Sequence, residues 1–267
     1  MQIDIRDHIF RNLDQNIFRA SLIASEDGIV AGQKAFIPRA ERLGLDYKIL
    51  KEEGAKIFRA EPVLQLKGTA KQIGLAEERL IGWILKASGI ATAASSAKRL
   101  AGGRFEVISG GWKKMPFELK EPIQQAIHDG GVNLRMCDEP FVYLDKNYVR
   151  MLGGVRKAVE AAGVFNRMIV IQIRGETRAI AEEAIEATHA GAHVVMVDTG
   201  STDHLRSVGH TLKQSGLRSQ VKIAFAGNIK LDDLEALAQF DLDVVDIGYA
   251  ILDAPCLPMR FDVVGVT

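Results

Sequence analysis

Charged residues and glycines recur in this chain at one kind of place, directly after short apolar runs rich in β-branched residues. Ser109-Gly110-Gly111-Trp112-Lys113-Lys114 ends the run at 105–109, and Arg135 follows a short segment at 132–134. Asp145-Lys146 follows 141–144, and Arg174 follows 168–173. Asp198-Thr199-Gly200-Ser201 closes 193–198, Gly227-Asn228 follows 221–226, and Gly248-Tyr249 closes 244–248. Loops are polar in most proteins, so the residue types carry the argument. Basic groups, carboxylates and glycine turns together suit an anionic ligand. Glycine lets backbone N–H groups approach phosphate oxygens, and a helix that follows adds its positive N-terminal end.

Those residues converge only if the runs are neighbouring strands. The runs are nearly continuously apolar, which predicts parallel strands buried on both faces. Helix-length segments at 148–162, 177–190, 203–214 and 232–240 lie between them. Gly163, Gly191 and Gly216 stand where helices should stop, since glycine takes the left-handed conformation there without a Cβ penalty. Repeated strand–helix units predict an α/β fold with a parallel sheet, open or closed. In parallel barrels, functional groups gather past the C-terminal strand ends. The first hundred residues differ. They predict a helix over 5–20, strands at 21–30 and 63–68 with turns at Gly28 and Gly32, and a long helix over 76–97. This is a mixed α+β domain over 1–103, ending near Gly102-Gly103, followed by an α/β barrel domain over 104–251; the tail 252–267 is expected to join the first domain.

Composition narrows the function classes. The 267 residues hold 34 Lys plus Arg against 34 Asp plus Glu, with 47% hydrophobic residues. A nucleic-acid binder would show a basic excess or stripe, so no nucleic-acid partner is expected. Cys137 and Cys256 form no C-x-x-C pair, which suggests a reducing compartment. The charged N-terminus does not read as a signal peptide, and no apolar run approaches membrane-spanning length. A cytoplasmic protein with no membrane partner is expected. Other candidates are weaker. His189 and His193 straddle the Gly191 break, and His204 and His210 are six apart, so neither pair has zinc-ligand spacing. Gly153-Gly154 reads as close packing inside a helix, and Trp83 as core.

An ordered set of motifs then resembles the quinolinate phosphoribosyltransferase family. Glu78-Arg79-Leu80 with Ser88-Gly89-Ile90-Ala91-Thr92 is similar to that family's "ER…LSGIAT", and Asp27-Gly28-Ile29-Val30-Ala31-Gly32 to "DGVVAG". Gly130-Gly131-Val132-Asn133-Leu134-Arg135 resembles "GGxxxHR", and Met196-Val197-Asp198 resembles "MLDN". Ala226-Gly227-Asn228-Ile229 resembles "SGGI", and Asp243-Val244-Val245-Asp246-Ile247-Gly248 resembles "VDxISxG". Each motif is weak alone; their order holds from about Ser21 to Leu252.

The resemblance implies an α+β sandwich domain followed by an open parallel α/β barrel. It implies a homodimer, or an oligomer of dimers, in which Arg79 reaches the partner's barrel. The implied chemistry is transfer of phosphoribosyl from phosphoribosyl pyrophosphate to a pyridine nitrogen, with Mg²⁺ and, in that family, loss of carbon dioxide. Asp198 would then orient Mg²⁺ or the ribose hydroxyls. Lys113, Arg135 and the partner's Arg79 would hold pyrophosphate or acceptor, and Ala226, Gly227, Asn228, Gly248 and Tyr249 the 5′-phosphate.

Departures cluster at the acceptor. "TRKT-x-PG" reads Gly111-Trp112-Lys113-Lys114-Met115-Pro116-Phe117, keeping Lys113 but putting Trp112 in place of the arginine. The histidine of "HR" is Leu134, the lysine of "KDNH" falls on Asp145, and the glutamate of "VEVE" falls on Arg174. These changes remove cations that would hold a dicarboxylate, and a buried carboxylate without a cation is costly. The two charge reversals suggest an Asp145–Arg174 ion pair of flipped polarity in a rebuilt pocket for a less anionic ring. Three functions follow: a phosphoribosyltransferase for another N-heterocycle, a non-catalytic nucleotide- or partner-binding relative, and quinolinate turnover with Lys114 and Lys146 as relocated cations.

Overall fold

The computed structural model describes residues 4–13 and 15–266 and divides the chain into two compact units. One comprises Met1–Ser95, Trp112–Gly131 and Ile251–Thr267; the other comprises Ser96–Gly111 and Val132–Ala250. The stretch 112–131 thus groups with the first unit, although it follows Gly103.

The first unit begins with strands β1 (Ile17–Ala24), β2 (Gly28–Ile29), β3 (Asp46–Ile49), β4 (Lys56–Ile57) and β5 (Pro62–Thr69). The tail strand, numbered β12 (Met259–Val266), completes an antiparallel sheet of order β12-β1-β5-β3, while β2 pairs with β4. Leu22, Leu64 and Leu66 bury against Phe36, Ile57 and Ile84 in its core. The helix expected over 5–20 is confined to Ile5–Ile9, because Ile17–Ala24 is taken into the sheet between β12 and β5. The long helix is two: Ala70–Arg79, opened by a Thr69–Gln72 capping box, and Ile81–Ala101. Each end of that box satisfies an orphan N–H, which fixes the start of the helix well before 76.

The second unit carries β6 (Glu106–Ile108), β7 (Phe141–Leu144), β8 (Met168–Ile173), β9 (Val194–Asp198), β10 (Lys222–Ala226) and β11 (Val244–Asp246). All are parallel in the order β6-β11-β10-β9-β8-β7, and Asn133 adds a single bridge beside Ile108. Strands β6 and β7 are not hydrogen-bonded to each other, so the curled sheet is an open barrel. Its inner core joins Ile108, Met136, Val170, Val194, Met196, Ala224, Ala226 and Val244, with Tyr143 packed against it. Side chains alternate along a strand. The residues two beyond these core positions therefore share the inner face at the C-terminal rim: Asp145, Gln172, Asp198 and Asp246.

One helix expectation needs correction here. The helix expected over 148–162 is broken into Lys146–Leu152 and Val155–Gly163. Gly153 and Gly154 have φ of 77° and 134°, a backbone that other residues rarely adopt, so this glycine pair ends a helix rather than packing within one. Among the described residues no helix is long and apolar enough to cross a membrane.

Candidate active site at the strand ends

Asp198, the last residue of β9, is the hub of the rim. Its Oδ2 accepts hydrogen bonds from Arg174 Nη1 at 2.8 Å and from Gln172 Nε2 at 2.7 Å. Arg174 Nη1 also donates to the Asp198 carbonyl at 2.5 Å. Gln172 is itself fixed, because its Oε1 accepts the Lys146 N–H at 2.9 Å. Beyond it Arg174 Nε lies 3.4 Å from Glu176 Oε1, and Glu176 takes a two-pronged bond from Arg150 at 2.7 Å per prong. The 174–177 loop is held from beneath by Glu183, which is 2% exposed. Its carboxylate accepts N–H bonds from Arg174, Gly175 and Thr177 and the Thr177 hydroxyl at 2.8–3.1 Å. Four donors compensate the burial of that charge.

The flipped ion pair expected between Asp145 and Arg174 does not form. Asp145 caps the helix Lys146–Leu152, accepting the N–H groups of Asn147 at 2.7 Å and Tyr148 at 3.1 Å, and Arg174 pairs with Asp198 and Glu176 instead. Asp is a favoured cap residue because its oxygen satisfies orphan helix N–H groups. Even so, Asp145 contributes to a negative rim. Burial, and then the Asp246, Asp198 and Asp145 carboxylates, push the Tyr143 phenol well above its ordinary pKa. All three carboxylates therefore act on one inward phenol, whose hydroxyl contacts the Met196 sulfur at 3.2 Å.

The neighbouring strand ends carry mostly glycine and backbone, with Asp246 as their carboxylate. Gly200 N–H donates to the Ala226 carbonyl at 2.9 Å, bringing the turns after β9 and β10 together. A Cβ on Gly200 would run into the Gly227 carbonyl oxygen, and a Cβ on Gly227 into the Gly200 nitrogen. Gly200, Gly227 and Asn228 all have positive φ, at 67°, 112° and 55°. At the end of β11, Asp246 Oδ1 accepts the Gly110 N–H at 2.9 Å, and a Cβ placed on Gly248 would meet the Gly111 Cα at 3.7 Å, an ordinary contact. Such turns expose N–H groups without side chains, as a phosphate cradle requires.

Comparison with known proteins agrees with this layout. The family model for the N-terminal domain of quinolinate phosphoribosyl transferase matches residues 4–88, and that for its C-terminal domain matches 90–262. The chain belongs to the quinolinate phosphoribosyltransferase family. The probable carboxylating nicotinate-nucleotide pyrophosphorylase of Methanothermobacter thermautotrophicus is 25% identical over 252 residues, covering 92% of this chain and 88% of that one. The human enzyme of that name is 28% identical, covering 90% of this chain and 80% of its own. The solved structure of the nicotinate-nucleotide pyrophosphorylase from Francisella tularensis has a TM-score of 0.80 at 21% identity, over 96% of this chain and 89% of that chain.

The remaining quinolinate phosphoribosyltransferase motif positions fall in both units, each described within its own. Leu134 is half-buried and Arg135 exposed; the Arg135 guanidinium lies 5.4 Å from the Phe141 ring, at the start of β7 rather than its end. In the first unit, Trp112 is half-buried with its Nε1 lacking a partner, and Lys113 Nζ lies 5.9 Å from its ring. Arg79 is exposed, with Glu78 next door at 3.6 Å. Trp83 is only half-buried, its ring under the Arg39 guanidinium at 3.9 Å. Ala226 is buried and Tyr249 exposed. Gln172 and Glu183 were missed by the sequence reading. Gln172 is the polar side chain in the otherwise apolar run 168–173, which is a signal in the sequence; Glu183 looks like any acidic residue in a first helical turn.

Proposed function

We propose that this protein transfers phosphoribosyl from phosphoribosyl pyrophosphate to a nitrogen heterocycle less anionic than quinolinate. A bond forms between the ring nitrogen and the ribose anomeric carbon as pyrophosphate departs. The observation that carries this reading is the rim itself: Asp198 stands beside the Gly200–Gly227 turn pair, while the acceptor side presents Asp145, Asp246 and the Tyr143 phenol. Asp198 would face the positive charge that develops on the ribose, and the glycine turns would hold the 5′-phosphate; preorganised groups of this kind are commonly the largest contribution to catalysis. The Asp145 and Asp246 carboxylates disfavour a dianionic ring and favour a neutral or partly cationic one.

Mg²⁺, expected with this donor, fits Asp198 poorly. Its Oδ2 is occupied by two donors, one of them a cation. A homodimer completing each site with the partner's Arg79 is part of the proposal, supported by the exposure of Arg79 in this chain. A cytoplasmic setting is supported by the free thiols of Cys137 and Cys256. A thermal-shift panel of pyridines and nucleotides, with and without phosphoribosyl pyrophosphate, tests the reading. Stabilisation by phosphoribosyl pyrophosphate, and a further shift with a neutral pyridine but not with quinolinate, is the expected pattern. Indifference to phosphoribosyl pyrophosphate would favour a non-catalytic relative, and conversion of quinolinate to nicotinate mononucleotide would favour relocated cations.

A further inference from the structure

Arg174 is a positively charged side chain bonded directly to the Asp198 hub. Its Nη1 serves both the side chain and the carbonyl of Asp198, and its Nε faces Glu176. Its Nη2 has no bond among the described residues, so one edge of the guanidinium remains for a ligand. The side chain is 33% exposed and Asp198 20% exposed, so the pair is open to the rim rather than sealed in the core. Asp198 Oδ1 is the oxygen a divalent cation would have to use, next to a fixed guanidinium charge. Mg²⁺ sheds its water reluctantly and is held through carboxylates together with substrate phosphates; like charge beside the carboxylate opposes it. Nor can Gln172 turn its oxygen toward a metal, because that oxygen already accepts the Lys146 N–H, and turning the amide would set two N–H groups against each other.

We infer that a diphosphate-bearing ligand binds this rim without a divalent cation, the Arg174 guanidinium being the resident positive charge that Mg²⁺ would otherwise supply. The inference rests on the proposed phosphoribosyl-donor site and names how that site meets its anion. Arg174 is suited to it. A guanidinium is planar, stays charged throughout the physiological range, and can bond a carboxylate on one edge and phosphate oxygens on another. Glu183 and the 174–177 turn hold the backbone from which it reaches out. The Arg174–Asp198 pair is then a binding device for the anion, and Gln172 is the positioning residue that keeps Asp198 turned toward it.

The experiment is calorimetric titration of inorganic pyrophosphate and of phosphoribosyl pyrophosphate into the full chain, once in EDTA and once in millimolar Mg²⁺. Arg174→Gln and Arg174→Lys variants accompany the wild type, each checked for folding by its unfolding transition. The expected result is wild-type affinity in EDTA within about threefold of that in Mg²⁺, a loss of about tenfold or more for Arg174→Gln in EDTA, and partial retention in Arg174→Lys. Mg²⁺ should recover binding in Arg174→Gln, because Asp198 is then released from its cation. Wild-type binding that appears only with Mg²⁺ would overturn this inference and leave the donor site standing. Binding in neither condition would overturn both. Should Arg174→Gln fail to fold, the wild-type contrast between EDTA and Mg²⁺, with Arg174→Lys, decides the matter.

Discussion

The rim of the open barrel has two halves built on different principles. At the ends of β7, β8 and β9 the chain places charge and amide groups, and nearly every one is bonded to another: Asp145 to its helix, Gln172 to Asp198 and Lys146, Arg174 to Asp198, Glu176 to Arg150. From the turn after β9 round to β6 the rim is mainly glycine and backbone, with Gly200 against Gly227 and the Asp246 carboxylate bonded to the Gly110 N–H. The glycine half keeps Gly227, Ile229 and Gly248 of the family's motifs, with Ala226 and Asp246 where those motifs have serine and Asn228 where they have glycine. Every charge reversal falls in the other half. A backbone cradle depends on conformation and close approach, so it tolerates few changes. A side-chain network can be rewritten provided each new charge finds a partner, and here each has.

If that contrast is correct, the glycine half should be the less forgiving. Gly200→Ala combines a positive φ with a collision against the Gly227 carbonyl. It should destabilise by about 3 kcal/mol, the sum of backbone strain and the forced separation of two turns. Denaturant unfolding measures this, and pyrophosphate binding should fall with it. A loss below about 0.5 kcal/mol, with binding unchanged, would show that the two turns need not touch.

The same contrast explains what could be read beforehand. Strands at 141–144 and 168–173 were found at their observed bounds because uninterrupted apolar runs mark strands buried on both faces. The glycine turns were found because a positive φ selects residue type. What stayed hidden depends on partners remote in sequence. Residues 17–20, read as the end of an amphipathic helix over 5–20, instead open a strand between β12 and β5, with β12 supplied by the far end of the chain. The reversals at Asp145 and Arg174 suggested a mutual pair, yet a helix cap claims one and Asp198 the other. Charge alone does not choose among carboxylates within reach; local backbone geometry does. Trp112 and Lys113 group with the first unit, although their sequence position follows the first strand of the barrel.

The charged half should depend on Glu183 more than on any surface pair. Glu183→Ala leaves the N–H groups of Arg174, Gly175 and Thr177 without their acceptor. Since the loop can admit water, the expected loss is about 2 kcal/mol, less than that of Gly200→Ala. Glu183→Gln keeps one oxygen and should lose roughly half as much. Hydrogen exchange at 174–177 should accelerate in Glu183→Ala, whereas the Gly200 amide should keep its protection. Parallel acceleration at Gly200 would mean that the two halves of the rim are not independent.

The smallest expected effect separates two roles of Asp145. As a helix cap it satisfies two N–H groups, and Asp145→Ala should lose about 1 kcal/mol of stability. As a charge it opposes an anionic acceptor, and here the substitution must spare the cap. Asp145→Asn does so, because asparagine caps about as well as aspartate. Its stability should stay within about 0.5 kcal/mol of wild type, while quinolinate should bind about two- to fivefold more tightly, the size expected for one partly exposed charge at close range. Asp145→Lys confounds the two roles, since lysine restores the family's cation but removes the cap. Restoring Trp112→Arg and Leu134→His on the Asp145→Asn background is therefore the cleaner route to quinolinate binding, read by competition against a fluorescent or calorimetric reference ligand. With Arg174 already held by Asp198, that route needs no change at Arg174. If Asp145→Asn leaves quinolinate affinity unchanged while Asp145→Ala loses stability, Asp145 is a helix cap alone, and the preference for a less anionic ring must rest on Asp246 and Tyr143.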